Sequence, residues 1–213
     1  ENRAIFADDL LLKKGMFENA KSGVQHNIPF TTNFKVFKHF SVSVGGAYKE
    51  VWNTKTIKYN DYDENLGVVK DTISGFDRFG IYNYSASVTT KIYGIVNFKP
   101  KNKVQSIRHT ITPSISYSNN PSFEEYYDTY IIDADGNTAE YTRFQGGLYG
   151  VPGKNYSSSI GISIQNTLEA KVKPKDSTET ELRKVNILKN LNISTGYNIA
   201  AEEFKWSPVR VTG

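Results

Sequence analysis

The sequence has no cysteine, one methionine and only three histidines, and nowhere does it hold a long apolar run. Without cysteine there can be no disulfide, no thiolate metal site and no cysteine nucleophile. A spanning helix needs about 18 consecutive apolar residues, so helical insertion is excluded by length. There is no phosphate-binding Gly-Lys-Ser loop, and no serine stands in a nucleophile elbow. No catalytic residue, metal or cofactor is therefore expected, and the chain is not read as an enzyme. Blocks of one charge sign are also missing, since the 26 Lys and Arg are scattered among 22 Asp and Glu for a net charge of +4. A nucleic-acid binder would gather its basic residues into one patch, so no nucleic-acid partner is expected. Neither an initiator methionine nor a signal peptide precedes Glu1-Asn2-Arg3. The start is expected to be processed or to lie inside a longer protein.

What the sequence does have is aromatic and small polar side chains. Aromatics make up 13% of the 213 residues, with 14 Tyr and 12 Phe. With abundant Ser, Thr and Asn, that composition suits the pleated surface of strands. The mean hydropathy of -0.49 is compatible with a membrane barrel, because only alternate strand residues face lipid and polar loops dilute the average.

Alternation is clearest from Val24 to Val36. Val24, His26, Ile28, Phe30, Thr32, Phe34 and Val36 share one face, and Gln25, Asn27, Pro29, Thr31, Asn33 and Lys35 share the other. The run is longer than the roughly 9–11 residues that a tilted strand needs to cross a bilayer. After a turn at Phe37-Lys38-His39, a second strand sets Phe40, Val42, Val44, Gly46 and Tyr48 on one side. A third runs unbroken from Tyr82 to Phe98, although Tyr93 and Ile95 fall on its polar face. The fourth carries Ile107, His109, Ile111, Pro113, Ile115 and Tyr117 on its apolar face. The fifth does so with Ile160, Ile162, Ile164, Leu168, Ala170 and Val172, and the sixth with Val185, Ile187, Leu191, Ile193, Tyr197 and Ile199. Asn166 and Lys189 interrupt these last two faces and are expected near a membrane boundary, where polar side chains cost little.

Connections alternate in length: short at 37–39 and 99–103, long at about 50–79 and 119–156, and intermediate at 173–184. Short turns on one rim and long loops on the other is the pattern of an outer-membrane barrel, with the short turns periplasmic. The first long connection is expected to hold strand extensions near Val51 to Tyr59. The second is expected to hold a small hairpin around Asp133-Ala134-Asp135-Gly136-Asn137. The polar faces carry mainly Ser, Thr, Asn and Gly, which fit a hydrated lumen better than the Lys and Glu of a soluble sheet. The fold class expected is all-β, an antiparallel up-and-down transmembrane β-barrel segment of about six strands. Because closed single-chain barrels begin at about eight strands, 1–213 would be part of a larger barrel. Tyr82, Tyr84, Phe98, Tyr117 and Tyr197 sit toward strand ends, as interfacial girdles do.

Lys91, Arg108, Glu169 and Lys171 project from polar faces. They could meet a lumenal partner or anionic lipid, or pair with one another across strands. His26 and His109 fall on apolar faces and His39 in a turn. None has a metal-ligand spacing. Asp61, Asp63 and Asn65 depart from a calcium loop, with Gly67 one place late and Thr72 where a Glu is needed. Glu124, Glu125 and Asp128 read as a solvated acidic loop or as a divalent-ion site.

Several segments resemble LptD, the lipopolysaccharide-assembly barrel family, in its Bacteroidota form. They are Gly23-Val24-Gln25-His26-Asn27-Ile28-Pro29, Thr90-Lys91-Ile92-Tyr93-Gly94, Ile107 to Tyr117, Gly147-Leu148-Tyr149-Gly150, Asn166 to Val172 and Phe204-Lys205-Trp206-Ser207-Pro208. His26, Pro29, Arg108, His109 and Pro113 are the family-like motif residues, and Arg-His-x-x-x-Pro is the most specific element. The resemblance implies an outer-membrane translocon that inserts lipopolysaccharide into the outer leaflet. It also implies an LptE-like plug lipoprotein in the lumen, surrounding outer-membrane lipid, and periplasmic bridge proteins that deliver lipid through an N-terminal jellyroll not contained in this chain. The alternatives are another large outer-membrane transport barrel, or a secreted β-rich binding or adhesion module.

Overall fold

The computed structural model describes residues 21–174 and 181–213; residues 1–20, and 175–180 of the expected charged turn, lie outside the description. The strands are β1 (Gly23–Val36), β2 (Phe40–Tyr59), β3 (Lys70–Thr89), β4 (Ile92–Asn97), β5 (Val104–Asn120), β6 (Tyr127–Ile131), β7 (Thr138–Thr142), β8 (Ser157–Val172), β9 (Arg183–Asn198) and β10 (Arg210–Thr212). One sheet runs in the order β1-β2-β3-β5-β8-β9-β10, with β4 also paired to β5, while β6 and β7 form a separate hairpin. The pairings from β3 onward are antiparallel. All-β, hairpin-by-hairpin topology is what the alternation predicted.

Two compact units divide the chain. The first to consider comprises Ile28–Tyr48, Tyr82–Ser122 and Asn155–Gly213. Its apolar face is bare. Ile28 is 59% exposed, Val96 58% and Ile193 37%. Ile115 is 57% exposed although its strand, β5, has neighbours on both sides. Among the described residues the only buried apolar side chain in this unit is Ala170. A soluble sandwich would hide its alternate residues in a core, whereas here they form a continuous apolar surface of the kind that meets lipid or a partner. Local packing on that surface is close. Gly46 lies under the Phe30 ring, and an added Cβ would come within 2.6 Å of the ring. An aromatic over a cross-strand glycine fills the gap that the missing side chain leaves.

The register explains where the expected strands were misjudged. Thr89 pairs with Ser114 and Ile92 with Ile111, so no residue is gained or lost between β3 and β4. The third strand is nevertheless interrupted at Thr90 and Lys91. Thr90 N–H donates to the Pro113 carbonyl at 3.2 Å, and in an antiparallel ladder Pro113 should return the bond. Proline has no N–H to return, so the ladder fails there. Beyond the break β4 pairs with β5 alone among the described residues. Even-numbered residues face β5, so Lys91, Tyr93, Ile95 and Asn97 turn their backbone groups to the open side.

Lys189 has a different explanation from the membrane boundary expected for it. Asn166 pairs with Leu191, Leu168 with Leu188 and Glu169 with Asn186, so β9 takes up two extra residues against β8 through bulges. The slip turns Leu188 to the apolar face opposite Leu168 and absorbs Lys189 into the irregularity. The sheet also holds β10, which sequence reading passed over; Val211 pairs with Ile193. Three residues are too short a run to show a period. Near one end of these strands Ala86, Tyr117, Ile160 and Tyr197 form one row. Trp206 packs edge-on to Tyr197 at 5.0 Å.

The other unit comprises Lys49–Ile81, Phe123–Lys154 and, of the described residues, 21–27. Here β2 and β3 continue where a loop over about 50–79 was expected, and the connection between them is confined to 60–69. The pattern loosened because the protected face changes. On the first half of β2 the even residues are the apolar ones, while in the second half the odd residues Val51, Asn53 and Ile57 are buried. Val51, Phe79 and Phe144 form a core, with Ile81, Tyr126 and Tyr149 packed against it. The expected hairpin is present as β6 and β7, with Gly136 at φ 81 in the turn. Asp61 ties it down by accepting the Ile131 N–H at 2.8 Å. Tyr59 and Tyr130 stack at 4.5 Å.

Two outcomes follow for this unit. Phe144 is 1% exposed, so Phe144→Ala should cost about 3–5 kcal/mol of local stability. Amide exchange in β6 and β7 would report it, and unchanged protection would contradict the core assignment. In the turn, the Asp133 carboxylate accepts the Asn137 side-chain amide at 2.8 Å and its backbone N–H at 3.0 Å. These bonds hold its pKa below the ordinary aspartate value. A depressed carboxyl stabilises the fold above its unfolded pKa and stops doing so as pH falls through the folded one. Amide protection at Asn137 should therefore persist through the ordinary aspartate range and fail only on further acidification, and Asn137→Ala should move that failure to higher pH.

Candidate functional site

The polar face of β4, β5, β8 and β9 gathers four charged residues, Arg108, Glu169, Lys171 and Lys184. Directly opposed residues of antiparallel strands share a face, so the registers define two adjacent rows. Ile95, Arg108, Glu169 and Asn186 make one row, and Asn97, Ser106, Lys171 and Lys184 make the next. All of these but Asn186 border a cleft of about 340 Å³.

Arg108 donates through Nη2 to Glu169 Oε2 at 2.5 Å. The cross-strand pairing open at the sequence level is therefore realised for these two. Lys171 and Lys184 face each other as like charges, with no ion pair to either among the described residues. Like charges directly opposite on a sheet destabilise it. With its carboxylate engaged by Arg108, the cleft keeps two ammonium groups beside the apolar side chain of Ile95.

Of the four polar-face residues singled out by sequence, Arg108, Glu169 and Lys171 come together. Lys91 does not, because it lies four residues from Ile95 along the β4 line, about 13 Å at strand rise. Lys184 and Ile95 were missed. The sequence pattern places Lys184 at the end of a charged turn, whereas β9 begins at Arg183. Ile95 registered only as a break in polar alternation, and that break was the usable signal.

The motif residues are dispersed. His109 and Asn166 share the apolar face and satisfy one another, with His109 Nε2 at 3.1 Å from Asn166 Oδ1. Asn166 Nδ2 donates to the Ile164 and Leu191 carbonyls at 3.4 Å each. His109 is thus hydrogen-bonded within the apolar face. Pro29 sits in β1 at the edge of the described sheet, where a missing donor is tolerated. Pro113 makes the ladder break. His26, in the other unit, packs edge-on to Trp52 at 4.6 Å. Among the described residues no group of three or more metal-ligating side chains assembles, so Glu124, Glu125 and Asp128 do not form one.

The Arg108–Glu169 side chains are 47% and 33% exposed, so solvent screens the pair. A double-mutant cycle with Arg108→Ala and Glu169→Ala should give a coupling of no more than about 1 kcal/mol in unfolding. A much larger coupling would show that the cleft is drier than its exposure indicates.

No curated protein and no solved structure matches the chain. A family model described as LptD protein matches residues 1–213. That match covers the bare apolar face, the small-polar opposite face and the charged cleft. It agrees with the segments from Gly23 to Pro208 that resemble this family. The chain belongs to the LptD family of outer-membrane β-barrel proteins, which serve lipopolysaccharide transport and assembly and are not enzymes.

Proposed function

We propose that this chain is part of the wall of a larger barrel that inserts lipopolysaccharide into the outer leaflet, and that Lys171 and Lys184 meet anionic groups passing along the lumen. The observation carrying this reading is the pair of facing lysines beside Ile95, on the polar side of a sheet whose other side is apolar and uncovered. An amphiphile with phosphates and acyl chains matches both halves of such a cleft. Arg108 and Glu169 pair across β5 and β8 beside it, and Lys91 lies farther along the same face. The row of Tyr117 and Tyr197 supplies an interfacial girdle. The remaining strands, a plug lipoprotein of LptE type, and periplasmic bridge proteins reaching the barrel through an N-terminal jellyroll complete the reading.

A photo-crosslinking residue in place of Ile95, in cells making the whole protein, tests it. Capture of lipopolysaccharide is expected, with Lys171→Glu and Lys184→Glu together reducing capture by about tenfold while the barrel stays heat-modifiable. Capture of a lipoprotein alone would assign the cleft to the plug and remove lipid from it. Depleting the protein should leave lipopolysaccharide off the cell surface while other barrels assemble, and normal surface display would sink the transport reading.

A further inference from the structure

The unit built on Val51, Phe79 and Phe144 holds a cavity of about 460 Å³ that the transport reading does not use. Three lysines, Lys21, Lys55 and Lys70, line it, and no carboxylate does so among the described residues. Hydroxyls such as that of Thr72 and the apolar edges of Ile57 and Leu148 complete the lining.

The decisive group is Asn53. Its side chain is buried, at 3% exposure, and borders the cavity. Its Nδ2 is the one buried side-chain polar atom without a hydrogen-bond partner among the described residues. Buried amides are almost always satisfied, so an unused donor at the wall of a cavity points to an acceptor supplied from outside. Gly147 packs over the other end of this amide. A Cβ there would stand 3.0 Å from Asn53 Oδ1, so a side chain at 147 would press on the amide.

We propose that this cavity binds a sugar-sized polyol bearing a phosphate or carboxylate group. Lys21 and Lys70 supply charge for an oxyanion. The Asn53 amide donates to a ring or hydroxyl oxygen, and the hydroxyl lining matches a polyol. Ile57 and Leu148 offer a surface to the C–H face of a ring. The volume falls in the range of about 300–1,000 Å³ typical of small-molecule sites and exceeds what an inorganic phosphate needs. Two sources carry this chemistry, the headgroup of a membrane glycolipid and a free sugar phosphate.

Titration calorimetry on the whole protein in detergent, with glucose 1-phosphate, glucose and inorganic phosphate as separate probes, tests the site. Glucose 1-phosphate should saturate, and bind more tightly than either of the others. Asn53→Asp, which keeps the shape but replaces the donor with a carboxylate, should weaken it by about tenfold or more. Lys21→Gln with Lys70→Gln should do the same and reduce its salt dependence. Heat-modifiability, and amide protection in β6 and β7, should be unchanged in both variants. Competition by a purified phosphorylated glycolipid would assign the source to the membrane, and its absence to the free sugar. No saturable binding, binding indifferent to both variants, or inorganic phosphate binding as tightly as the sugar phosphate would overturn the proposal. None of these results depends on what the cleft beside Ile95 binds.

Discussion

Backbone hydrogen bonding from strand to strand governs the sheet. A strand unit with one buried apolar side chain among its described residues has no core to hold it, so its integrity rests on the ladders and on whatever covers the apolar face. The ladder between β5 and β8 runs from Val104 opposite Val172 to Asn120 opposite Ser157. That ladder fixes Arg108 opposite Glu169 and Ser106 opposite Lys171, and through β9 it brings Lys184 opposite Lys171. A one-residue slip would send each of these side chains to the other face. In hydrocarbon the ladders matter still more, because each unpaired backbone group costs several kcal/mol there.

The other unit is held by different means. Val51, Phe79 and Phe144 pack as in a water-soluble domain, and ion pairs surround them: Arg78 with Glu50, Arg143 with Asp77 and Lys154 with Glu140. Glu140 raises the Lys154 pKa, chiefly through their hydrogen bond. Arg143 also lies over the Phe144 ring at 4.6 Å. These pairs are partly exposed, so each adds little alone. Of the three, Arg143 with Asp77 ties the segment Phe123–Lys154 to β3 beside the aromatic core.

Much of the fold was legible because a barrel wall writes its two environments into alternate residues. Val24 to Val36 and Ile107 to Tyr117 could be assigned face by face from sequence alone. What escaped notice depended on partners in the neighbouring strand. Pro113 looked like one more apolar-face residue, and only the Thr90 pairing reveals that it breaks the ladder of β3. Lys189 looked like a misplaced charge until the bulges in β9 moved Leu188 into its place. From Lys49 onward β2 keeps its period of two but exchanges its protected side, which reads in sequence as loss of pattern. In the cleft, Arg108, Glu169 and Lys171 were visible as polar-face charges. Lys184 was hidden by an uncertain strand boundary, and Lys91 was included because faces are legible in sequence while distance along a strand's neighbours is not. The cavity beside Asn53 left no trace, since its lining comes from four separated stretches.

The interruption at Thr90 and Lys91 gives the sheet a mechanical property. Residues on either side of it keep the same register with β5, so the two halves of that line can tilt against each other and return without any strand sliding. A bulge would store its extra residue as fixed twist, whereas a missing proline donor stores nothing. Thr89 and Thr90, at the start of the interruption, donate side-chain hydrogen bonds to the carbonyls of Pro113 and His39. The joint is thus compliant in bending and indexed in register, a place where curvature can change while the pairing code on both sides is preserved.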